Sequence, residues 1–314
     1  MKRRVLVSAP YMQPVINLFR SIFEENDIEL FVPPVEERFT EEELLQWMSD
    51  VDGVISGDDQ FTERVLNSAP RLKVISKWGT GIDSIDLQAC RRLGIAVRNT
   101  PNAFSEPVAD SVLGYVLAFA RNLAMQDRHM KKGAWQKIPS RCLRECTLGV
   151  IGVGNVGKTV IQRAAAFGMR LLGNDLLEMP AELVARTGIQ MVSKEPLLRQ
   201  ADFISLNCDL NPTSYHLIND ETLGFVRPTA VLINAARGPV VNEAALIKAL
   251  KEKRLAGAAL DVFEVEPLPS ESPLRRMENV LLAPHNANSS PECWERVHRS
   301  TINNLLEELG RNRQ

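Results

Sequence analysis

No charge of one sign dominates these 314 residues: 37 Lys and Arg stand against 39 Asp and Glu, for a formal net charge of −2. With no basic excess and no basic block, nucleic acid is not an expected partner, and only a local cationic pocket for a small anion stays open. Long hydrophobic runs are missing too. The most apolar helical stretch, VADSVLGYVLAFARNLAM (108–125), carries Asp110 and Arg121 and is interrupted by Gly114. A membrane span wants roughly 20 apolar residues, so this stretch reads as a buried helix of a soluble protein. The basic start MKRR is followed by an apolar stretch of only residues 5–7, too short for a signal peptide. Cysteine is sparse and odd in number (Cys90, Cys142, Cys146, Cys208 and Cys293), with no CxxC pair. Cys142 and Cys146 have no matching Cys or His pair, so no metal is expected, and reduced, cytoplasmic thiols are the better reading. Histidine occurs only four times.

What the chain does have is material for cores: hydrophobic residues at 45% and charged residues at 24% suit two ordinary globular domains. Short apolar runs at 4–9, 27–32, 51–56, 72–76 and 94–99 read as strands. Helical patterns lie between them at about 14–25, 41–49, 62–69 and 84–93. This alternation predicts a parallel, doubly wound sheet. Ser105, Glu106 and Pro107 look like the start of a helix running to near Met130, followed by a loop over 131–141. A second alternating set predicts strands at 146–154, 170–174, 189–192, 202–206, 229–233, 257–261 and 279–282. Helix 242–253 is capped by Asn242, and a last helix from about Pro291 to Leu309 has no strand after it.

The strongest local signal is TLGVIGVGNVGKTVIQRAAAFG (147–168). A strand runs into Gly152-x-Gly154-x-x-Gly157 and a helix starts at once. Gly152 permits a tight turn, Gly154 lets the backbone approach a pyrophosphate, and Gly157 lets helix and strand pack closely. A glycine-rich turn of this kind also arises for structural reasons alone. Here, however, a second strand ends in Asp175, 18 residues past Gly157, where a carboxylate can bind both ribose hydroxyls of an adenosine. Such a carboxylate repels a 2′-phosphate, and Leu176, Leu177 and Glu178 provide no cation to receive one, so NAD is favoured over NADP.

Three further strand ends carry chemistry-bearing residues: Arg237, Asp261, Glu266 and His285. In an open parallel sheet, ligands bind beyond the carboxyl ends of the strands. Arg237 can grip a carboxylate with a two-toothed fork, and His285 can give or take a proton near neutral pH. A buried glutamate beside the histidine would orient the imidazole and favour the imidazolium. Taken singly, each residue has an ordinary structural reading as a surface salt bridge, a solvated acid or a loop cap. His129, His216 and His298 have no comparable setting and read as structural or solvent-exposed.

The order of the motifs decides. GVIGVGNVG, LINAARGPVVNEAAL, GAALDVFEVEP and LLAPHNA, with KWGTGIDSIDLQAC (77–90) and NTPNAFSEPVADSVLG (99–114) ahead of them, resemble the successive signatures of the NAD-dependent D-isomer-specific 2-hydroxyacid dehydrogenases, nearest to the phosphoglycerate dehydrogenase branch. The resemblance extends over about residues 50–300. It implies a flavodoxin-like substrate domain from residues 1–100 plus 290–314 and an inserted Rossmann NAD-binding domain over 101–289. It also implies an Arg237–Glu266–His285 set, in which the arginine binds the 2-oxo acid, the histidine is the acid–base and the glutamate is its partner. By the same likeness Asn155, Val156 and Asp175 hold the adenosine diphosphate half of the cofactor. Thr80, Cys208, Ala235, Asp261 and the backbone from His285 to Asn288 line its other side. The loop holding Lys77, Trp78 and Gly79 offers backbone N–H groups to the substrate carboxylate. The likeness further implies hinge closure over the cleft, and a homodimer formed through the helix near 105–130 and the KKGAWQ arm.

Two departures bear on the substrate. Ser56 stands where phosphoglycerate-oxidising members typically have a basic residue, with Asp58 and Asp59 beside it, which disfavours a phosphorylated substrate. Lys77 leaves one cation expected to face the cleft. Nothing follows the closing helix, so a C-terminal regulatory domain is not expected. The reading is an NAD-dependent D-2-hydroxyacid dehydrogenase, or 2-oxo acid reductase, acting on a small acid. The alternative is D-3-phosphoglycerate dehydrogenase; a formate dehydrogenase fits less well, since that relative pairs its histidine with Gln. A third, a non-enzymatic NAD-sensing scaffold, fits poorly because partner-binding tails are missing.

Overall fold

The computed structural model describes residues 2–311, so residues 1 and 312–314 of the expected substrate domain lie outside the described residues. The chain divides into two compact units, one built from residues up to Phe104 and from Ser290 onward, the other from Ser105–Ser289.

The first unit holds a five-stranded parallel sheet: β1 (Arg3–Val7), β2 (Ile28–Phe31), β3 (Gly53–Ser56), β4 (Val74–Lys77) and β5 (Ala96–Arg98). Its order, β2-β1-β3-β4-β5, is that of flavodoxin. Strands β3 and β4 are buried along their whole length, as expected of parallel strands covered on both faces. The closing helix Pro291–Arg311 returns to this sheet, where the Thr301 carbonyl accepts from Ser76 Oγ at 2.8 Å. It therefore needs no strand of its own. Helix Glu41–Trp47 is started by a capping box in which Thr40 and Glu43 satisfy each other's amides.

The second unit holds seven parallel strands: β6 (Thr147–Ile151), β7 (Arg170–Asn174), β8 (Gln190–Met191), β9 (Phe203–Leu206), β10 (Val231–Asn234), β11 (Gly257–Leu260) and β12 (Val280–Leu282). Their order is β12-β11-β10-β9-β6-β7-β8. Strand order reverses at β6, so the crevice between β6 and β9 is the topological switch point where dinucleotides bind in doubly wound folds. Apolar side chains of β6, β9 and β10 pack on both faces of the sheet, Ile151, Leu206 and Leu232 on one and Val150, Phe203 and Ile233 on the other.

One element differs from expectation. The helix expected from Ser105 to near Met130 is two helices, Ser105–Ala120 and Leu123–Lys131, bent by 56° at the break. Asn122 takes a left-handed conformation (φ 52°), which asparagine tolerates better than most residues. Its Nδ2 donates to the Pro139 carbonyl at 3.0 Å, and Ser140 Oγ donates to the carbonyl of Arg121 at 3.2 Å. The returning loop thus satisfies backbone groups that a continuous helix would have satisfied itself. No single helix among the described residues is long and apolar enough to cross a membrane.

Candidate active site

The glycine loop follows β6 directly. Gly152 has φ +86°, and a Cβ there would stand 2.5 Å from the backbone nitrogen of Cys208. A Cβ on Gly157 would stand 2.0 Å from the Gly152 carbonyl oxygen, so that close approach of helix to turn is open to glycine only. Gly154 is the opposite case: a Cβ there would meet no protein atom within 4 Å. Its open space lies at the start of helix Asn155–Ala166, where the first-turn amides of Asn155, Val156 and Gly157 have no carbonyl within the helix to bond. Asp175, just beyond β7, accepts the Val153 amide at 2.5 Å and the Leu177 amide at 2.9 Å, which pins its carboxylate beside the glycine loop. A cradle with room for a diphosphate, amides facing it and a carboxylate one strand away fits NAD.

The second group assembles at the ends of β10, β11 and β12. Asn234 folds the chain after β10: its Oδ1 accepts the Ala236 amide at 3.1 Å and its Nδ2 donates to the Arg237 carbonyl at 2.9 Å. Ala235, in the same turn, is half-buried. Gly238 then lies so close to the next loop that a Cβ would sit 1.8 Å from the Phe263 carbonyl oxygen. The turn carrying Arg237 and the loop carrying Glu266 are thereby packed together. Glu266 accepts the Phe263 amide on Oε1 at 2.9 Å, and its Oε2 lies 3.0 Å from His285 Nδ1. The carboxylate holds one ring nitrogen, which directs the Nε2 edge away from it.

Asp261 anchors the histidine loop from below. It is 1% exposed, its carbonyl accepts the His285 amide at 2.7 Å, and its two carboxylate oxygens accept the amides of Asn286 and Ala287, each at 2.9 Å. These bonds hold His285 in a left-handed conformation (φ 50°). Asn288 follows at once, half-buried. The hydrogen bonds of Asp261 make it the residue that shapes the His285–Asn288 backbone. Tyr115 also bonds Asp261, and burial, together with that carboxylate, pushes the phenol above its ordinary range. Sequence reasoning missed Tyr115, although its signal was present as one of only three tyrosines, set in an apolar helix.

Cys208 lies after β9 against the glycine turn, where burial pushes its thiol up to about 11. In the first unit, Lys77, Trp78, Gly79 and Thr80 follow β4 together. Trp78 is buried among Tyr11, Phe104 and Trp294, and its Nε1 donates to His298 Nδ1 at 2.9 Å. Thr80 Oγ1 donates to the Thr100 carbonyl at 3.1 Å.

Three expectations change. Lys77 is not an open cation: its side chain is 5% exposed, and its ammonium lies 3.0 Å from Asp58 Oδ1 and donates to the Trp78 carbonyl at 3.0 Å. Asp59 is not open to solvent either. It is fully buried and accepts from Ser8 Oγ at 2.5 Å, the Phe39 amide at 2.8 Å and the Gly57 amide at 3.1 Å, while burial raises its carboxyl above the usual range. And His216 has a carboxylate partner after all, with Nε2 2.6 Å from Glu264 Oε1.

A family model described as the NAD-binding domain of D-isomer specific 2-hydroxyacid dehydrogenases matches residues 113–287. A protein named glyoxylate reductase from Korarchaeum cryptofilum is 35% identical over 313 residues, with 98% of this chain and 92% of that protein covered. A D-3-phosphoglycerate dehydrogenase of Methanocaldococcus jannaschii is 37% identical over 294 residues, covering 92% of this chain but 54% of the relative, so this chain spans about half its length. The solved D-lactate dehydrogenase of Aquifex aeolicus, complexed with NAD and lactic acid, superposes with a TM-score of 0.86 at 27% identity, covering 98% of both chains. The chain belongs to the D-isomer specific 2-hydroxyacid dehydrogenases and is an NAD-dependent oxidoreductase acting on the CH–OH group of 2-hydroxy acids.

Proposed function

We propose that this enzyme reduces a small, unphosphorylated 2-oxo acid such as glyoxylate or hydroxypyruvate. The observation that carries the choice is the Lys77–Asp58 pair: the cation opposite Ser56 in the sheet is already paired with a carboxylate. Ser56, fully buried, adds no charge beside it. The relative named glyoxylate reductase, matched over nearly its whole length, supports the same reading.

When bound, NADH supplies the hydride. Asp175 and the first-turn amides from Asn155 to Gly157 would hold the cofactor, while Cys208, Ala235, Asp261 and Asn288 would line it. Arg237 grips the substrate carboxylate and polarises the carbonyl. His285 gives the proton from Nε2 to the carbonyl oxygen, and in the oxidative direction takes the hydroxyl proton back. Glu266 keeps Nδ1 protonated and the ring in place. His285→Ala is expected to cut kcat by about 10²–10⁴-fold with NADH affinity little changed; an unaltered kcat removes His285 from the mechanism. Arg237→Lys should chiefly raise KM, and an unmoved KM removes the clamp.

A homodimer is part of the same reading. The helix pair 105–131 borders a cavity of about 540 Å³ whose walls include Phe119, Met125, Phe203 and Leu281. On the arm beyond it Trp135 is 90% exposed, an aromatic ring that a second copy of the chain would cover. Trp135→Glu should turn a dimer into a monomer by light scattering. A wild-type monomer contradicts the assignment. The five free cysteines suit the reducing cytoplasm.

A further inference from the structure

Two histidine–glutamate pairs meet on one loop. Glu266 holds His285, and two residues earlier Glu264 Oε1 lies 2.6 Å from His216 Nε2. The His216 ring is fully engaged. Asn242 Nδ2 lies 3.3 Å from its Nδ1, and the Asn242 amide is oriented by its own Oδ1, which accepts the Ala245 amide at 2.9 Å in capping helix Glu243–Lys251. An amide NH₂ can only donate, so Nδ1 of His216 accepts and Nε2 carries the proton that Glu264 receives. With both nitrogens used, this imidazole has none to offer a substrate.

Its backbone is tied as well: the His216 amide donates to the Pro239 carbonyl at 2.8 Å, and Ile218 bridges to Val241. Glu264 is held at a second point, where its amide donates to Glu243 Oε2 at 3.4 Å. The segment so gripped is the one Gly238 packs against, next to Arg237. His216 therefore ties three segments: its own loop after β9, the Arg237 turn, and the loop whose Glu266 orients His285. Tyr215 stacks on the ring at 4.0 Å and shields the pair on one side.

From this geometry we infer that His216, through Glu264, is a positioning residue for the reaction: it sets the loop that keeps Glu266 against His285. The inference rests on the assignment of Glu266 and His285 given above. A small displacement of an orienting group costs rate steeply even when the mutated residue is remote from the chemistry.

The test is a double-mutant cycle on steady-state reduction of glyoxylate by NADH, using His216→Ala, Glu266→Gln and the double variant, with His285→Ala and His216→Gln alongside. His216→Ala is expected to lower kcat about ten- to a hundredfold, with NADH affinity by fluorescence titration unchanged. His216→Gln, whose Nε2–H can replace that of the imidazole, is expected to recover most of the loss without relying on the ring. In the Glu266→Gln background, His216→Ala is expected to cost little more, because the group it positions is already gone. An equal fold-loss in both backgrounds, or a His216→Ala enzyme with full kcat, overturns the inference while an inactive His285→Ala enzyme leaves the site intact. Full activity in His285→Ala overturns the site itself, and the inference with it.

Discussion

Lys77 and Asp58 form a pair between the ends of two neighbouring strands, with Nζ 3.0 Å from Oδ1 and the ammonium all but sealed from solvent. A buried cation with its counter-ion in place has little to gain from a second anion. Asp58→Asn should expose the charge of Lys77 to the substrate. The expected result is a KM for 3-phosphohydroxypyruvate that falls about tenfold relative to hydroxypyruvate, roughly 1.4 kcal/mol of new attraction. Equal KM values in the variant and the parent would mean that Lys77 does not govern phosphate preference.

The glycines separate cofactor binding from folding. Gly154→Ala adds a methyl into open space at ordinary backbone angles (φ −72°), so the melting temperature should stay near that of the parent. NADH affinity should drop about tenfold or more because the methyl occupies the diphosphate's place. Gly157→Ala places its methyl against the Gly152 carbonyl and should destabilise the protein by several kcal/mol, as overpacked sites do. If both variants lose stability alike, the cradle reading of Gly154 fails.

Strand positions and the glycine turn were legible because each is written in contiguous residues, as short apolar runs and a fixed glycine spacing; the His285–Glu266 pairing, between residues 19 apart, was legible only through the order of the motifs. What was not legible depends on residues far apart. The break at Asn122 is stabilised by Pro139 and Ser140, which the composition of 105–131 does not reveal. His216 and Glu264 are 48 residues apart, and His216 stands in none of the motifs. The acids at 58 and 59 look alike in sequence, but one neutralises Lys77 and the other staples a buried loop.

In the proposed reading, nucleotide preference rests on Asp175. Its carboxylate accepts two backbone amides and so cannot swing away from a 2′-phosphate. Asp175→Ser removes the negative charge and should narrow the NADH-to-NADPH ratio of kcat/KM by about tenfold. A ratio unmoved by the change would place nucleotide selection elsewhere.

Thiol chemistry offers a pH test. Burial pushes the thiols of Cys90 and Cys208 up to about 11. The thiolate is the reactive form, so both stay protonated and inert through neutral pH and gain reactivity only as pH climbs toward that value. At about pH 8, iodoacetamide should label the exposed Cys142 first, and leave Cys90 and Cys208 unmodified until denaturant is added. Rapid native labelling of Cys208, read by mass spectrometry, would contradict its half-buried, protonated state.

The most direct test of the central claim is the loss of NADH absorbance with glyoxylate, hydroxypyruvate, pyruvate and 3-phosphohydroxypyruvate, each with the parent enzyme and with His285→Ala. The account predicts a kcat/KM for glyoxylate or hydroxypyruvate about tenfold or more above that for the phosphorylated acid, and a near-complete loss of turnover with His285→Ala. Preference for 3-phosphohydroxypyruvate, or turnover that survives the loss of His285, would contradict it.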